Sequence, residues 1–213
     1  MERFDAKQGS GIIFDMARVI KENIQYLSEI DGAVGDGDHG INLNKGFEIC
    51  NKELEERPGD LSYSLGTLAK VLMANIGGSI GPLYGSFFKA MSKVCNNIEY
   101  IDGSLFREML SSGKSAIISI GNAKVGDKTL LDTLAPAIEA FGARLDKGGS
   151  FSEALTAMVD AAKKGCYSTK NMVAKLGRAS QLGDRSFGIL DPGAVSCFLI
   201  LESISHSIQS LLK

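Results

Sequence analysis

Tryptophan is absent from the chain, and histidine occurs only at His39 and His206. With so few imidazoles, and no CxxC pair among Cys50, Cys95, Cys166 and Cys197, a structural zinc site is not expected. The scattered thiols read as reduced cysteines of a cytoplasmic protein. Charge of one sign is not in excess, since the formal net charge is −2. That balance gives no electrostatic footprint for nucleic acid or an anionic membrane. No apolar run approaches the roughly 18 residues of a membrane span, and Met1-Glu2-Arg3-Phe4-Asp5 lacks the apolar stretch of a signal peptide. The length of 213 residues suits one domain, 1–213.

What the chain has in quantity is helical periodicity. Ile12, Ile13, Met16, Val19, Ile20, Ile24 and Leu27 recur at three- and four-residue spacing and predict one amphipathic helix. Further helices are expected over about 39–54, around Leu65–Ile76, after Pro82, from about Ser104 and from about Thr129. Another should start at the capping box Ser150-Phe151-Ser152-Glu153 and reach towards Met172. The last should run from Pro192 or Gly193 to the C-terminus. No strand is convincing; the best candidate, Ile117-Ile118-Ser119-Ile120, lies within a helical pattern. The expected class is all-α, with about eight helices.

The connections fall into two kinds. The first, third, fifth and seventh are glycine-rich and chemically loaded: Asp31 to Gly40, Gly77 to Gly81, Gly121 to Lys128 and Gly177 to Gly193. The second, fourth and sixth are plain. Helices joined by short loops tend to run antiparallel, so odd connections of an up-and-down bundle share one end. The four loaded loops should converge on one rim.

Their residue types point to phosphate chemistry. Asp31, Asp36 and Asp38 repel one another unless a cation neutralises them, and hard cations such as magnesium take oxygen ligands. An EF-hand starting at Asp36 fails, because Ile41 and Phe47 fall where glycine and glutamate are needed. A turn whose aspartates only cap the next helix is the bland alternative. Gly77-Gly78-Ser79-Ile80-Gly81-Pro82 reads as a backbone nest before a helix, or as glycines for close packing, and no GK[ST] follows to make a Walker A loop. Gly126-Asp127-Lys128-Thr129 reads as a helix start with a cap and a cation. Arg178 and Arg185 carry guanidinium forks suited to phosphate oxygens or to an aspartate. No nucleophile-and-base pair stands out, which suits phosphoryl transfer, where a protein chiefly positions groups and neutralises charge.

Taken jointly, these stretches resemble the nucleotide-binding L subunit of the dihydroxyacetone kinase family. The matching segments are Gly35-Asp36-Gly37-Asp38-His39-Gly40, Gly77-Gly78 with Gly81-Pro82-Leu83-Tyr84-Gly85, Gly126-Asp127-Lys128-Thr129, Gly177-Arg178-Ala179-Ser180 and Asp191-Pro192-Gly193-Ala194. The resemblance implies a barrel of eight antiparallel helices with nucleotide on one rim, held through two magnesium ions on Asp31, Asp36 and Asp38. It implies ADP or ATP contacts at His39, Gly40, Asn42, Ser79, Ile80, Gly121, Thr129, Leu130, Arg178, Asp191, Pro192 and Gly193, with Arg178 also catalytic. It implies a separate K subunit that holds dihydroxyacetone, and leaves room for a homodimer. Either ATP exchanges, or ADP stays bound and is recharged by a phosphohistidine protein of the phosphotransferase system. A free-standing chain favours the latter. An ATP-dependent kinase for another short ketose or sugar acid, or a nucleotide-dependent regulatory module, is the alternative. The chain departs from the family pattern at Ile80, Leu130, Gln181 and Ile189. An apolar side chain at position 80 offers no hydrogen bond to phosphate, a loss of about 1.5–3 kcal/mol.

Overall fold

The apolar spacing that predicts the helices is the spacing the fold buries. The computed structural model describes residues 2–213, and among them are nine α-helices and two short strands. The helices are α1 (Gly11–Glu22), α2 (Ile24–Val34), α3 (His39–Glu56), α4 (Leu61–Asn75), α5 (Ile80–Val94), α6 (Gly103–Gly121), α7 (Leu131–Asp146), α8 (Phe151–Ser168) and α9 (Pro192–Leu211). The class is all-α, as the periodicity indicates.

Each helix from α3 onward packs on its chain neighbours, and α9 returns to α1, which lies against α3. The circuit of neighbours therefore closes. Its interior is filled by one side of every helix, including Ile13, Met16, Leu43, Phe47, Leu68, Phe88, Met109, Phe141, Leu155 and Ile200. By length and composition α9 could cross a membrane, but most of its apolar window is buried in this core. Ser196, Ser203, Ser205 and Ser207 are buried along it as well.

Three expectations are corrected. The first helix divides at Asn23, whose φ of −111° leaves the helical range and whose Nδ2 donates to the Val19 carbonyl at 2.8 Å. One residue is too little chain for a reversal, and α1 and α2 hardly touch, so Asn23 is a bend. The count of nine thus leaves the alternation of directions intact. Second, α2 runs on to Val34 and carries Asp31 in its last turn, because Leu27, Asp31 and Val34 are spaced to face inward. Third, two three-residue strands exist: β1 (Arg3–Asp5) and β2 (Tyr100–Asp102) pair antiparallel, with Phe4 opposite Ile101. They are too short for period-two alternation to register. Ile117–Ile120 lies inside α6, and α8 ends at Ser168 before a 3-10 turn over Thr169–Asn171.

Helix starts differ in their caps, and that of α9 is capped by the Asp191 side chain. Those of α4, α6 and α8 are capped by the side chains of Asp60, Asp102 and Ser150, the last in the expected capping box with Glu153. At the starts of α3, α5 and α7, the N-cap residues Asp38, Ser79 and Leu130 make no side-chain cap bond.

Candidate functional site

The beginnings of α3, α5, α7 and α9 meet at one end of the ring. His39, the first residue of α3, is buried and places Nε2 2.9 Å from the Ser196 Oγ of α9. Ser196 Oγ lies 2.7 Å from the phenol of Tyr84 on α5, and that phenol donates to the Gly193 carbonyl at 3.3 Å. Gly193 lies against Leu130, at the start of α7. Thr133 Oγ1 then donates to the Ala194 carbonyl at 3.0 Å, tying α7 to α9. Gly121, at the end of α6, lies against Leu83 of α5. The convergence of the odd connections that helix parity predicts is therefore what the chain adopts.

Beside these helix starts lie three carboxylates. Ligand oxygens of Asp31, Asp36 and Asp38 all lie within 4.8 Å of one another. Asp31 comes from the last turn of α2, where its Oδ2 accepts the His39 N–H at 3.2 Å. Gly37, at φ +78°, turns the chain between Asp36 and Asp38 through a conformation that a side chain would oppose. Gly40 lets α3 press onto α2, since a Cβ there would run into the Ile24 carbonyl. Arg178 forms an ion pair with Asp36, both side chains being about half exposed. The donors are all oxygen, which fits a hard divalent cation and not a zinc centre.

Burial sets the ionisation here. Desolvation lowers His39 to about 4, against the opposing pull of Asp31, so its imidazole is neutral at pH 7. Protein surrounds the Asp191 carboxyl and pushes it up to about 7, although the Ala194 N–H it accepts at 2.7 Å and the nearby Lys128 act the other way. Burial also raises Tyr84, and it raises Cys166 to about 12, so the phenol and thiol stay protonated.

The remaining expected residues fall around this end. Ser79 is exposed at the tip of the Gly77–Ser79 loop, whereas Ile80 is only 7% exposed and packs in the core. The Ile80 side chain thus packs inward at the start of α5, and the loop before it presents backbone and Ser79. Asn42 is partly buried in the first turn of α3, with its N–H on the Asp38 carbonyl at 2.8 Å. Thr129 gives its N–H to Asp132 at 2.8 Å and accepts the Leu131 N–H on Oγ1 at 3.2 Å. Pro192 opens α9, and Asp191 caps it.

Two expectations in the fifth connection are revised. Asp127 does not cap the helix; it accepts the Lys124 N–H at 3.0 Å, and Asp132 holds the loop through Gly126 and Thr129. Lys128 is not a free cation at the rim but is 1% exposed. Ser196, Tyr84 and Asp132 complete the arrangement. The contacts of Ser196 and Tyr84 join helices far apart in sequence, so no local pattern announces them, whereas Asp132 acts locally, on the loop just before its own helix.

The chain matches the DAK2 domain over residues 33–206. It belongs to the DAK2 domain family. Among DAK2 relatives, it is 36% identical over 202 residues to the Listeria innocua protein named PEP-dependent dihydroxyacetone kinase 2, ADP-binding subunit DhaL, covering 93% of both chains. It is 41% identical over 186 residues to the Lactococcus lactis protein named PTS-dependent dihydroxyacetone kinase, ADP-binding subunit DhaL, covering 87% of this chain and 88% of that one. The DAK2 fold also matches the dihydroxyacetone kinase of C. freundii in complex with AMP-PNP and Mg2+, with a TM-score of 0.69 and 23% identity. That match covers 93% of this chain and 33% of the larger one.

Proposed function

We propose that the chain is the cytoplasmic nucleotide-binding subunit of a dihydroxyacetone kinase. It presents ADP or ATP, with magnesium, to dihydroxyacetone held by a separate K subunit, and its ADP is recharged by a phosphohistidine protein of the phosphotransferase system. The observation that carries this reading is the meeting of four helix N-termini beside three clustered carboxylates. Helix starts expose N–H groups and the positive end of the helix dipole, which favour phosphate. Starts without side-chain caps leave more of those donors for a ligand.

In this reading Asp31, Asp36 and Asp38 hold the ions, two of them in the family's pattern. Magnesium bound there would supply the charge neutralisation between carboxylate and phosphate oxygens. The backbone of Gly77–Ser79 and the first turn of α5 donate to phosphate. His39, Gly40, Asn42, Gly121, Thr129, Leu130, Asp191, Pro192 and Gly193 frame the nucleotide. The neutral His39 is fixed by Ser196, so it donates or accepts a hydrogen bond without adding charge. Arg178 brings a guanidinium to the carboxylate cluster, and with Asp36 engaged as a magnesium ligand it would be placed to meet the transferring phosphoryl group.

Mass analysis of nucleotide released from purified, dialysed protein tests the reading, together with turnover in the complex reconstituted with a K subunit. Retained ADP and loss of turnover in Asp36→Asn are the expected results. A chain that neither retains nor binds adenine nucleotide in the presence of magnesium would overturn it.

A further inference from the structure

One buried cation outside the carboxylate cluster has no role in the reading above. Lys128 lies in the connection before α7 with φ +63°, uncommon for a residue with a side chain, and is 1% exposed. Its ammonium donates to three carbonyls: Met172 at 3.0 Å, Ser186 at 2.5 Å and Ile189 at 2.7 Å. An ammonium has three hydrogens, so its donor capacity is filled. All three acceptors belong to residues 172–189, the strap between α8 and α9 that carries Arg178. Met172 stands at its beginning, and Ser186 and Ile189 at its end.

Besides Lys128, the strap is held by the Gly188 N–H on the Lys170 carbonyl at 2.8 Å, the Lys175–Asp127 ion pair and a few weaker contacts. It consists of 3-10 turns interrupted at Gly183, and it buries only Ala174, Ala179 and Ser186 fully. Its apolar contacts form a small satellite of Ala174, Ala179, Leu182 and Ile189 with Val34, separate from the main core. Inside it, Ser186 Oγ accepts the Ala174 N–H at 2.9 Å and donates to the Gly183 carbonyl at 2.7 Å. The same connection grips its start again: Lys175 N–H donates to the Asp127 carbonyl at 3.1 Å, and Lys175 Nζ to the Gly126 carbonyl at 2.8 Å. The Lys175 Nζ bond is solvent-exposed, whereas Lys128 is enclosed.

We infer that Lys128 is a positioning residue, whose ammonium clamps both ends of the 172–189 strap and thereby sets Arg178 against the carboxylate site. This rests on the proposed role of Arg178, and it explains a buried charge that touches no carboxylate. Desolvation already lowers the Lys128 pKa, and Asp191 nearby sustains its charge.

Lys128→Met keeps the length of the side chain and removes the three donors. Hydrogen exchange of the full chain, without nucleotide, should show amides 173–188 exchanging about ten-fold faster or more, with α3, α4 and α5 unchanged. In the complex reconstituted with a K subunit, Lys128→Met should lower kcat with little change in magnesium–ADP affinity. The double variant with Arg178→Ala should be no slower than Arg178→Ala alone. Unchanged strap exchange in folded Lys128→Met, or losses that multiply in the double variant, would overturn the inference. If Lys128→Met does not fold, native-state exchange of the unmodified chain decides: residues 173–188 should open as one unit, and independent opening of the two halves refutes the clamp. The exchange results need no nucleotide, so a failure of the proposed function would be seen separately, as a parent chain that binds none.

Discussion

Replacing Asp38 by asparagine separates the two things the carboxylate cluster does, which are to repel itself and to attract a cation. The three carboxylates approach within 4.8 Å. At that separation two unit charges repel by about 0.9 kcal/mol at the dielectric of water, and by about 3.5 kcal/mol at an effective dielectric near 20. Asp36 is exposed and Asp38 partly so, which favours the lower figure, and salt screens it further. Asp38 has no salt bridge among the described residues, whereas Asp36 pairs with Arg178. Asparagine at position 38 removes repulsion with two neighbours, a gain of about 1–2 kcal/mol. Against this, Asp38 precedes α3, where a negative charge favours the helix by about 0.3–1 kcal/mol. The balance is a gain of about 1 kcal/mol, or about 2–4 °C in Tm for a chain of this size. Thermal unfolding should therefore show Asp38→Asn melting above the parent in EDTA. With magnesium and ADP the order should reverse, because the parent gains binding free energy that the variant loses. A variant that melts below the parent in EDTA, or that magnesium and ADP stabilise equally, would refute the reasoning.

Two further substitutions probe the surroundings. Ile80→Ser places a hydroxyl at the start of α5, but the side chain packs in the core; unfolding should be easier by about 2–5 kcal/mol, and calorimetry should find no tighter nucleotide binding. Asp191→Asn keeps a capping side chain and removes the titration. Because the folded pKa of Asp191 is raised to about 7, its contribution is fully present below about 4 and is lost as pH rises through 7. The stability of the parent relative to Asp191→Asn should thus fall between pH 4 and 7 and level off above that, measured by denaturant titration in metal-free buffer. A flat difference would mean that the carboxyl is not enclosed. His39 acts in the opposite sense, since its lowered pKa gives stability above 6.5 that is lost as pH falls towards 4.

Helix existence and the polarity of the ring were legible because both follow from local signals. Apolar spacing marks each helix, and Ser150–Glu153 and Asp191–Pro192 mark two starts that the structure retains. Parity then required only that short loops reverse direction. What local signals miss is distance and depth. Asn23 interrupts a continuous apolar stripe without disturbing its spacing, so the bend is invisible to periodicity. Nothing adjacent in sequence announces the burial of Lys128, a residue type seldom enclosed; the carbonyls of Met172, Ser186 and Ile189 explain it. Ile80 looked like a defect in a phosphate nest when its neighbours alone were considered. Its direction depends on how α5 is rotated, and that is set by Tyr84, Phe87, Phe88 and Met91 packing inward.

The missing side-chain caps at three helix starts tie the stability of one end of the ring to whatever binds there. The starts of α4, α6, α8 and α9 carry side-chain caps, while the N-cap residues of α3, α5 and α7 provide none. A ligand that engages the uncapped starts completes the secondary structure, so its binding is added to the folding free energy as a logarithm of its concentration. Starved of that ligand, the molecule would fray first at this end and become a better substrate for proteolysis. The abundance of the protein would then follow the supply of the molecule it carries, with no separate regulator.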